Sequence, residues 1–323
     1  MVRVIDLFAG IGAPIQALKN IGIEYEIVAF SEIDRYASEA YQYLHGQCEN
    51  LGDVSKINPD IIPDCDLLCF GFPCQDISIA GAQLGLSEGS NTRSSLLWEC
   101  KKIIEAKKPK FLMMENVKNL VGNTHKANFE KWLAYLETLG YKNYWKVLNA
   151  VDYGAPQSRE RVFCISILNT DSDESNFTFP SPQPRKLKLK DILDDPEDVP
   201  NNMWMNDKPY IPRDVVKESD NGLIWVGNLD FKANEAIKRV YDIEGVCPTL
   251  TTMGGGHRQP KIKLENGVRK LTPKECWRVM GFSENDFEKV KNKFSNTQLY
   301  KMAGNSIAVP CLEAIFKELF NQK

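Results

Sequence analysis

No run of about 18 apolar residues occurs anywhere in the chain, so no membrane-crossing helix is expected. Histidine is scarce, with three residues far apart, and the nine cysteines include no Cys-x-x-Cys pair. Neither a zinc site nor a disulfide framework is therefore expected, and no metal is assigned. Cys69, Cys100, Cys164 and Cys311 lie in apolar runs and read as small buried hydrophobes. The opening Met1-Val2-Arg3-Val4-Ile5-Asp6 reads as a strand and lacks the apolar core and cleavage site of a signal peptide. A cytoplasmic location is the default. Internal repeats are absent. Positive charge is not in excess either: the net charge of −3 argues against nucleic acid as a partner unless basic residues gather locally.

They do gather. Between Arg258 and Arg278 seven basic residues (Arg258, Lys261, Lys263, Arg269, Lys270, Lys274 and Arg278) face two acidic ones, and Arg185-Lys186-Leu187-Lys188-Leu189-Lys190 forms a second cluster. Each is either a solvated face or a binding surface. An apolar fraction of 43% and 323 residues fit a large globular domain joined to a smaller one.

The first half alternates short β-rich runs with helical stretches. Strands are expected at Val2–Phe8, Tyr25–Phe30, Asp66–Phe70, Phe111–Met114, Trp145–Ala150 and Val162–Ile167, and helices at Pro14–Asn20, Tyr36–Leu44, Leu96–Ala106 and Phe129–Leu139. This rhythm implies an α/β fold with a mostly parallel sheet. It breaks near residue 170, where Asp, Ser and Pro mark a linker. Residues 185–268 read as irregular. Thr272-Pro273-Lys274-Glu275 has the pattern of a capping box, with Gly281 placed to end its helix, and Ala308–Leu319 is a last helix.

Asp6-Leu7-Phe8-Ala9-Gly10-Ile11-Gly12-Ala13-Pro14 joins a strand to a helix, where glycines permit a tight turn and close approach of a ligand. Ile15 stands where a dinucleotide fingerprint has its third small residue. Glu32, at the end of the second strand, could take ribose hydroxyls, and Asp53 could receive an adenine amino group. Acidic groups suit a cationic nucleoside such as S-adenosylmethionine better than a pyrophosphate. Plain turn residues are the alternative.

Cys74, in Gly71-Phe72-Pro73-Cys74-Gln75, follows an apolar strand, the end at which α/β sheets bind ligands. It is either a nucleophile or a buried thiol. The glycine- and serine-bearing stretch 75–94 after it reads as a lid or binding loop. Glu115, in Glu115-Asn116-Val117, is either a helix cap or, in apolar surroundings, a proton carrier. In Gln157-Ser158-Arg159-Glu160-Arg161 an extended chain would turn Gln157, Arg159 and Arg161 to one face, to meet an anionic or carbonyl-rich partner or to form a surface ion-pair set.

In this order the segments resemble the cytosine-5 DNA methyltransferases of bacteria and phages. Arg269-Lys270-Leu271-Thr272-Pro273-Lys274-Glu275-Cys276 and Gly304-Asn305-Ser306 complete the set, which covers most of the chain outside residues 171–247. The resemblance implies a doubly wound, Rossmann-like, S-adenosylmethionine-dependent catalytic domain at 1–178. It implies a smaller, irregular target-recognition domain at 179–268 and a return segment at 269–323 that completes the first. Phe8, Ala9, Gly10 and Gly12 would line the cofactor pocket, with Glu32, Ile33, Asp53 and Val54, then Pro73, Asn305 and Ser306. Cys74 would attack carbon 6 of cytosine, Glu115 would hold nitrogen 3 and the amino group, Arg161 the base carbonyl, and Arg159 would support them. Gln75, Ser78, Thr249, Thr251, Gly255 and Arg258 would touch DNA.

The partner implied is double-stranded DNA, met by a monomer without a membrane; a cognate restriction endonuclease acting separately stays open. Pro14, and Ile33 where some relatives carry an aromatic, depart from the family pattern. A tRNA cytosine methyltransferase, a nicotinamide-dependent oxidoreductase and a catalytically dead DNA-binding protein are the competing readings. The basic end of 185–268 favours duplex DNA over tRNA, Ile15 and the Cys74 loop oppose the oxidoreductase, and Cys74, Glu115 and Arg161 oppose the dead protein.

Overall fold

The structure is a computed structural model that describes residues 1–73, 96–169 and 176–320. Two compact units divide the chain. Unit one comprises Met1–Leu148, Glu160–Ser181 and Leu312–Lys323, and unit two Asn149–Arg159 and Pro182–Cys311.

Unit one alternates β1 (Val2–Leu7), α1 (Ala13–Asn20), β2 (Tyr25–Ser31), α2 (Arg35–His45), β3 (Leu67–Phe70), α3 (Cys100–Lys107), β4 (Phe111–Val117), α4 (Lys126–Thr138), β5 (Tyr141–Asn149) and β6 (Glu160–Leu168). The six strands lie in the order β2-β1-β3-β4-β6-β5. β1 pairs parallel with β2 and β3, and β3 with β4, whereas β4 and β6 run antiparallel. The sheet is therefore mixed. All four residues of β3 are buried, as an inner strand covered on both faces requires. Ile5, Leu68, Phe70, Leu112 and Met114 from the strands share one core with Ile103, Ile104, Phe129 and Trp132 from the helices.

Strand polarity places the site. Because β1, β2, β3 and β4 point the same way, the segments after them open at one edge of the sheet. The antiparallel β6 begins at that edge, with Arg161 opposite Val117.

Two local expectations shift. The helix expected from Leu96 starts at Cys100. β4 runs on to Val117, so Glu115 and Asn116 lie inside the strand and not after it. Pairing with β6 holds those residues extended.

Unit two is not irregular. It carries β7 (Tyr210–Pro212), β8 (Trp225–Leu229), α5 (Glu235–Lys238), β9 (Arg239–Asp242), β10 (Lys261–Leu264) and β11 (Gly267–Lys270), followed by α6 (Pro273–Val279), α7 (Glu284–Val290) and α8 (Asn296–Asn305); α9 (Val309–Phe320) then carries the chain into unit one. The strands form one sheet in the order β11-β10-β9-β8-β7. Only β9 and β10 pair parallel; the other pairs are antiparallel. None of these strands exceeds five residues, too few for alternation to show in the sequence. Residues 269–311 belong to unit two, and only from Leu312 does the chain rejoin unit one.

The α6 boundary forms as its sequence dictates. Thr272 and Glu275 make the reciprocal capping box with Pro273 in the first turn. Gly281 follows at φ +90°, where an added Cβ would come 2.5 Å from Pro310. Glu275 also receives a bidentate Arg269 guanidinium at 2.6 and 2.9 Å, with both side chains wholly buried.

Part of each basic cluster is neutralised within unit two. Arg269 belongs to that buried pair. Lys261 is buried, Lys274 and Arg278 pair with Asp194 and Glu284, and Lys188 and Lys190 share Glu244. Of the run from Arg258 to Arg278, Arg258 stays exposed and Lys263 and Lys270 half-buried, without an ion pair among the described residues.

Candidate functional site

The loop after β1 turns through three left-handed residues: Phe8 at φ +53°, Gly10 at +55° and Gly12 at +75°. The two glycines serve different ends. Around Gly10 nothing lies within 4 Å of an added Cβ, so its face is open to a ligand. At Gly12 the same atom would fall 2.4 Å from His45 Nε2 and 2.8 Å from Tyr41 Cε2, so this glycine admits α2. His45 Nε2 also hydrogen-bonds the Ile11 carbonyl at 3.0 Å. Pro14 sits in the first turn of α1, which has no side-chain cap.

Glu32 reaches back to this loop. Its carboxylate accepts Gly10 N–H at 2.8 Å and Asp34 N–H at 2.7 Å. Burial raises its pKa, and the backbone N–H groups pull the other way. Asp6 beneath is buried, its pKa raised well above the usual carboxylate range by desolvation and then by Glu32. Its Oδ2 has no hydrogen-bond partner.

Asn50, which the sequence reading passed over, organises the next segment. Its Oδ1 accepts the N–H groups of Glu32 and Gly52, and its Nδ2 donates to the Glu32 carbonyl and Ser38 Oγ. Asp53 follows, half-buried, and accepts from Ser55 N and Oγ at 3.0 and 2.8 Å, which lowers its pKa. Val54 is buried, and Ile33 is 75% exposed. Open space at Gly10, an orphaned buried carboxyl oxygen at Asp6 and an acidic rim fit a cationic nucleoside with free hydroxyls.

At the same sheet edge Arg161 Nε lies 3.2 Å from Glu115 Oε1, both side chains being largely buried. Antiparallel register explains the contact, because Glu115 faces Phe163 and Arg161 stands two residues away, a diagonal neighbour on the same face. The carboxylate's surroundings are thus not purely apolar. Asn116 points to the other face and donates from Nδ2 to the Phe72 carbonyl at 3.0 Å. That bond ties β4 to the Gly71–Pro73 segment and is a second contribution the sequence reading missed. The adjacent Glu-Asn pair is its only sequence signal. Cys74, Gln75, Ser78 and the remainder of the 75–94 loop lie outside the described residues.

Gln157, Arg159 and Arg161 do not share a strand, since β6 starts at Glu160. Within unit two the buried Arg159 guanidinium donates to the carbonyls of Leu250, Gly304 and Ser306 at 2.9, 3.2 and 2.9 Å. A carbonyl-rich partner is what its sequence position called for. Gln157 donates to Met280 Sδ. Gly304 approaches Thr251 so closely that an added Cβ would lie 1.8 Å from the Thr251 carbonyl oxygen. Arg159 thus knots the end of α8, with exposed Asn305 and buried Ser306, to the segment bearing Thr249 and Thr251. Gly255 and Arg258 lie exposed beyond it, in a turn where Met253, Gly255, Gly256 and His257 are all left-handed.

The thiols expected to be structural are buried. Desolvation raises Cys69 and Cys100 and pushes Cys164 up to about 12. Among the described residues no group of three or more His, Cys, Asp and Glu could hold a metal ion, and no helix is long and apolar enough to cross a membrane.

Comparison with known proteins adds to this geometry. A family model described as C-5 cytosine-specific DNA methylase matches residues 2–321. The chain is 40% identical to the type II methyltransferase M2.ScrFI of Lactococcus lactis subsp. cremoris, with 100% of both chains covered. It is 32% identical to the orphan methyltransferase M.SPBetaI of Bacillus phage SPbeta, covering 99% of this chain and 98% of that one. The crystal structure of S. pombe Dnmt2 methyltransferase superposes with a TM-score of 0.72 over 99% of each chain, at 19% identity, a likeness of fold.

Proposed function

The chain belongs to the family of C-5 cytosine-specific DNA methylases, and on that premise we propose which residues carry its reaction. The reaction itself is methyl transfer from S-adenosylmethionine to carbon 5 of cytosine in DNA. The Glu115–Arg161 pair carries the assignment, at a sheet edge shared with the segment leading to Cys74.

Cytosine carbon 5 is a poor nucleophile. In the proposed sequence the Cys74 thiolate adds to carbon 6, and the new S–C bond drives electron density toward carbon 5. Glu115 holds nitrogen 3 and the amino group and supplies the proton that nitrogen 3 needs as charge develops. Arg161 fixes the Glu115 carboxyl and holds the base carbonyl. S-adenosylmethionine, when bound, supplies an electrophilic methyl group on a sulfonium. Loss of the carbon 5 proton then expels Cys74 and restores the ring. Asn116 positions the chain before Cys74 through the Phe72 carbonyl.

Arg159 acts as a positioning residue, holding carbonyls in unit two. A base inside a duplex exposes neither ring face, so the cytosine is flipped out at roughly a few kcal/mol. Phe8, Ala9, Gly10, Glu32, Ile33, Asp53, Val54 and Pro73 are assigned to the cofactor; Gly12 serves it by admitting α2. Asn305 and Ser306 are assigned to the same ligand by family resemblance. Residues 1–178 carry catalysis and 179–268 target recognition, and the return to unit one is made from Leu312. Gln75, Ser78, Thr249, Thr251, Gly255 and Arg258 are assigned to a specific duplex sequence, modified beside a separate restriction endonuclease or as an orphan.

Expression in a host lacking cytosine methylation, followed by bisulfite sequencing, tests the whole reading. One methylated motif is expected. Cys74→Ala should abolish methylation while S-adenosylmethionine still binds; full activity in that variant would sink the mechanism.

A further inference from the structure

Two guanidiniums in unit two stand apart from the paired cations. Arg213 directly follows the edge strand β7 and places its guanidinium carbon 3.9 Å from the Trp225 ring centroid. Arg239 opens β9 and lies 4.5 Å from the same centroid. Because β8 sits between β7 and β9, one arginine reaches the indole from each neighbouring strand. Among the described residues no carboxylate lies within ion-pair distance of either guanidinium.

The stack is built, not incidental. Trp225 is pinned by its Nε1–H, which donates to the Gly227 carbonyl at 2.8 Å and Asn228 Oδ1 at 3.1 Å. β7 and β8 approach so closely at Gly227 that an added Cβ would come 2.5 Å from the Ile211 carbonyl oxygen. Arg213 N–H donates to the Val226 carbonyl at 3.0 Å, fixing the backbone from which its side chain departs. The Arg239 Nε is buried without a partner.

Stacking uses the face of a guanidinium and leaves its N–H edges for an acceptor. Two cations around one ring repel each other, and the arrangement is relieved by an anion at each edge. Arriving from strands on either side of β8, the two guanidiniums offer separate edges. Successive phosphates along one strand satisfy both edges separately.

We propose that Arg213, Trp225 and Arg239 form a clamp for the phosphate backbone of duplex DNA. The clamp rests on the cytosine methyltransferase reading and adds a contact surface to it. It sets register and affinity and reads no base.

Binding of the full chain to a short fluorescent duplex of arbitrary sequence, measured by anisotropy across a KCl series, tests the clamp. Each phosphate contact contributes about 0.9 to the slope of log K against log salt. Arg213→Gln and Arg239→Gln should each flatten the slope by about 1, and the double variant by about 2. Arg213→Lys should keep the slope. An unchanged slope in folded Arg213→Gln, an exposed site tolerant of substitution, overturns the clamp. So does a changed methylation motif at unchanged slope, which would mean base reading. Wild-type protein that methylates DNA while the variants keep its slope loses only the clamp; wild-type protein that neither binds nor methylates duplex DNA loses the parent reading as well.

Discussion

Glu115 and Arg161 meet at 3.2 Å because β4 and β6 run antiparallel in a sheet whose other inner pairings are parallel. A parallel β6 would bring its opposite end to this edge and carry Arg161 away. The reversal of one strand thus joins residues 46 positions apart in sequence into an acid–guanidinium pair.

Glu115→Gln keeps the shape and removes the proton. Single-turnover methyl transfer should slow by about 10²–10⁴, the range of a positioned general acid, with S-adenosylmethionine affinity unchanged. Arg161→Ala should slow the same step, and Arg161→Lys should recover part of it. A wild-type rate in Glu115→Gln would remove Glu115 from the chemistry.

Asn116→Ala deprives the buried Phe72 carbonyl of its donor. A loss of about 1–3 kcal/mol in urea unfolding is expected. The turnover number should fall, because the displaced segment carries Pro73 and leads to Cys74. Reduced stability with unaltered turnover would confine Asn116 to a structural role.

Burial holds Glu32 and Asp6 above the ordinary carboxylate range. The folded protein therefore binds more protons than the unfolded chain from about pH 4 up to these raised values. Without cofactor, stability contributed by these groups should fall as pH rises through that window. A cationic ligand favours their ionised forms, so S-adenosylmethionine should bind more tightly toward higher pH and release protons. Calorimetry in buffers of different ionisation enthalpy measures this. Glu32→Gln should reduce the release, and proton release equal to wild type would assign it elsewhere.

Gly10→Ala and Gly12→Ala should separate binding from folding. Both residues are left-handed, a conformation costing an L-residue about 1–2 kcal/mol. Only Gly12→Ala also drives a methyl into His45 and Tyr41, adding about 1–3 kcal/mol of overpacking. Urea unfolding should rank Gly12→Ala as the less stable. Gly10→Ala should instead weaken cofactor binding, its methyl occupying the open side of the loop. The opposite ranking would reverse these roles.

Legibility in the sequence followed the range of the interactions. The β1 and β2 runs, the Thr272–Glu275 capping box and the burial of Cys69, Cys100 and Cys164 depend on neighbours within a few residues, and they were readable. Glu115 was placed after its strand because the pairing that extends β4 comes from residues 161–163. Asn50 looks like a turn residue until Glu32 and Gly52 are seen to share it. The sheet of unit two escaped notice because its strands are too short for a periodic signal. Charge misled in a similar way. The run from Arg258 to Arg278 stands out in the sequence, yet Arg269, Lys274 and Arg278 are ion-paired, while Arg213 and Arg239, outside that run, have no carboxylate partner among the described residues.

Unit one is stitched from three separated stretches, the last beginning at Leu312. Phe320 of α9 packs edge-on against Phe111 of β4, and Glu313 accepts a hydrogen bond from Asn20 of α1. During synthesis, then, the sheet must wait until residue 320 is made before its covering helix exists. At about 5–20 residues per second, the nascent sheet spends many seconds incomplete, with the apolar side that α9 covers exposed. A chain cut just before Val309, where α9 begins, should form aggregates that the separate α9 segment, supplied in trans, would diminish.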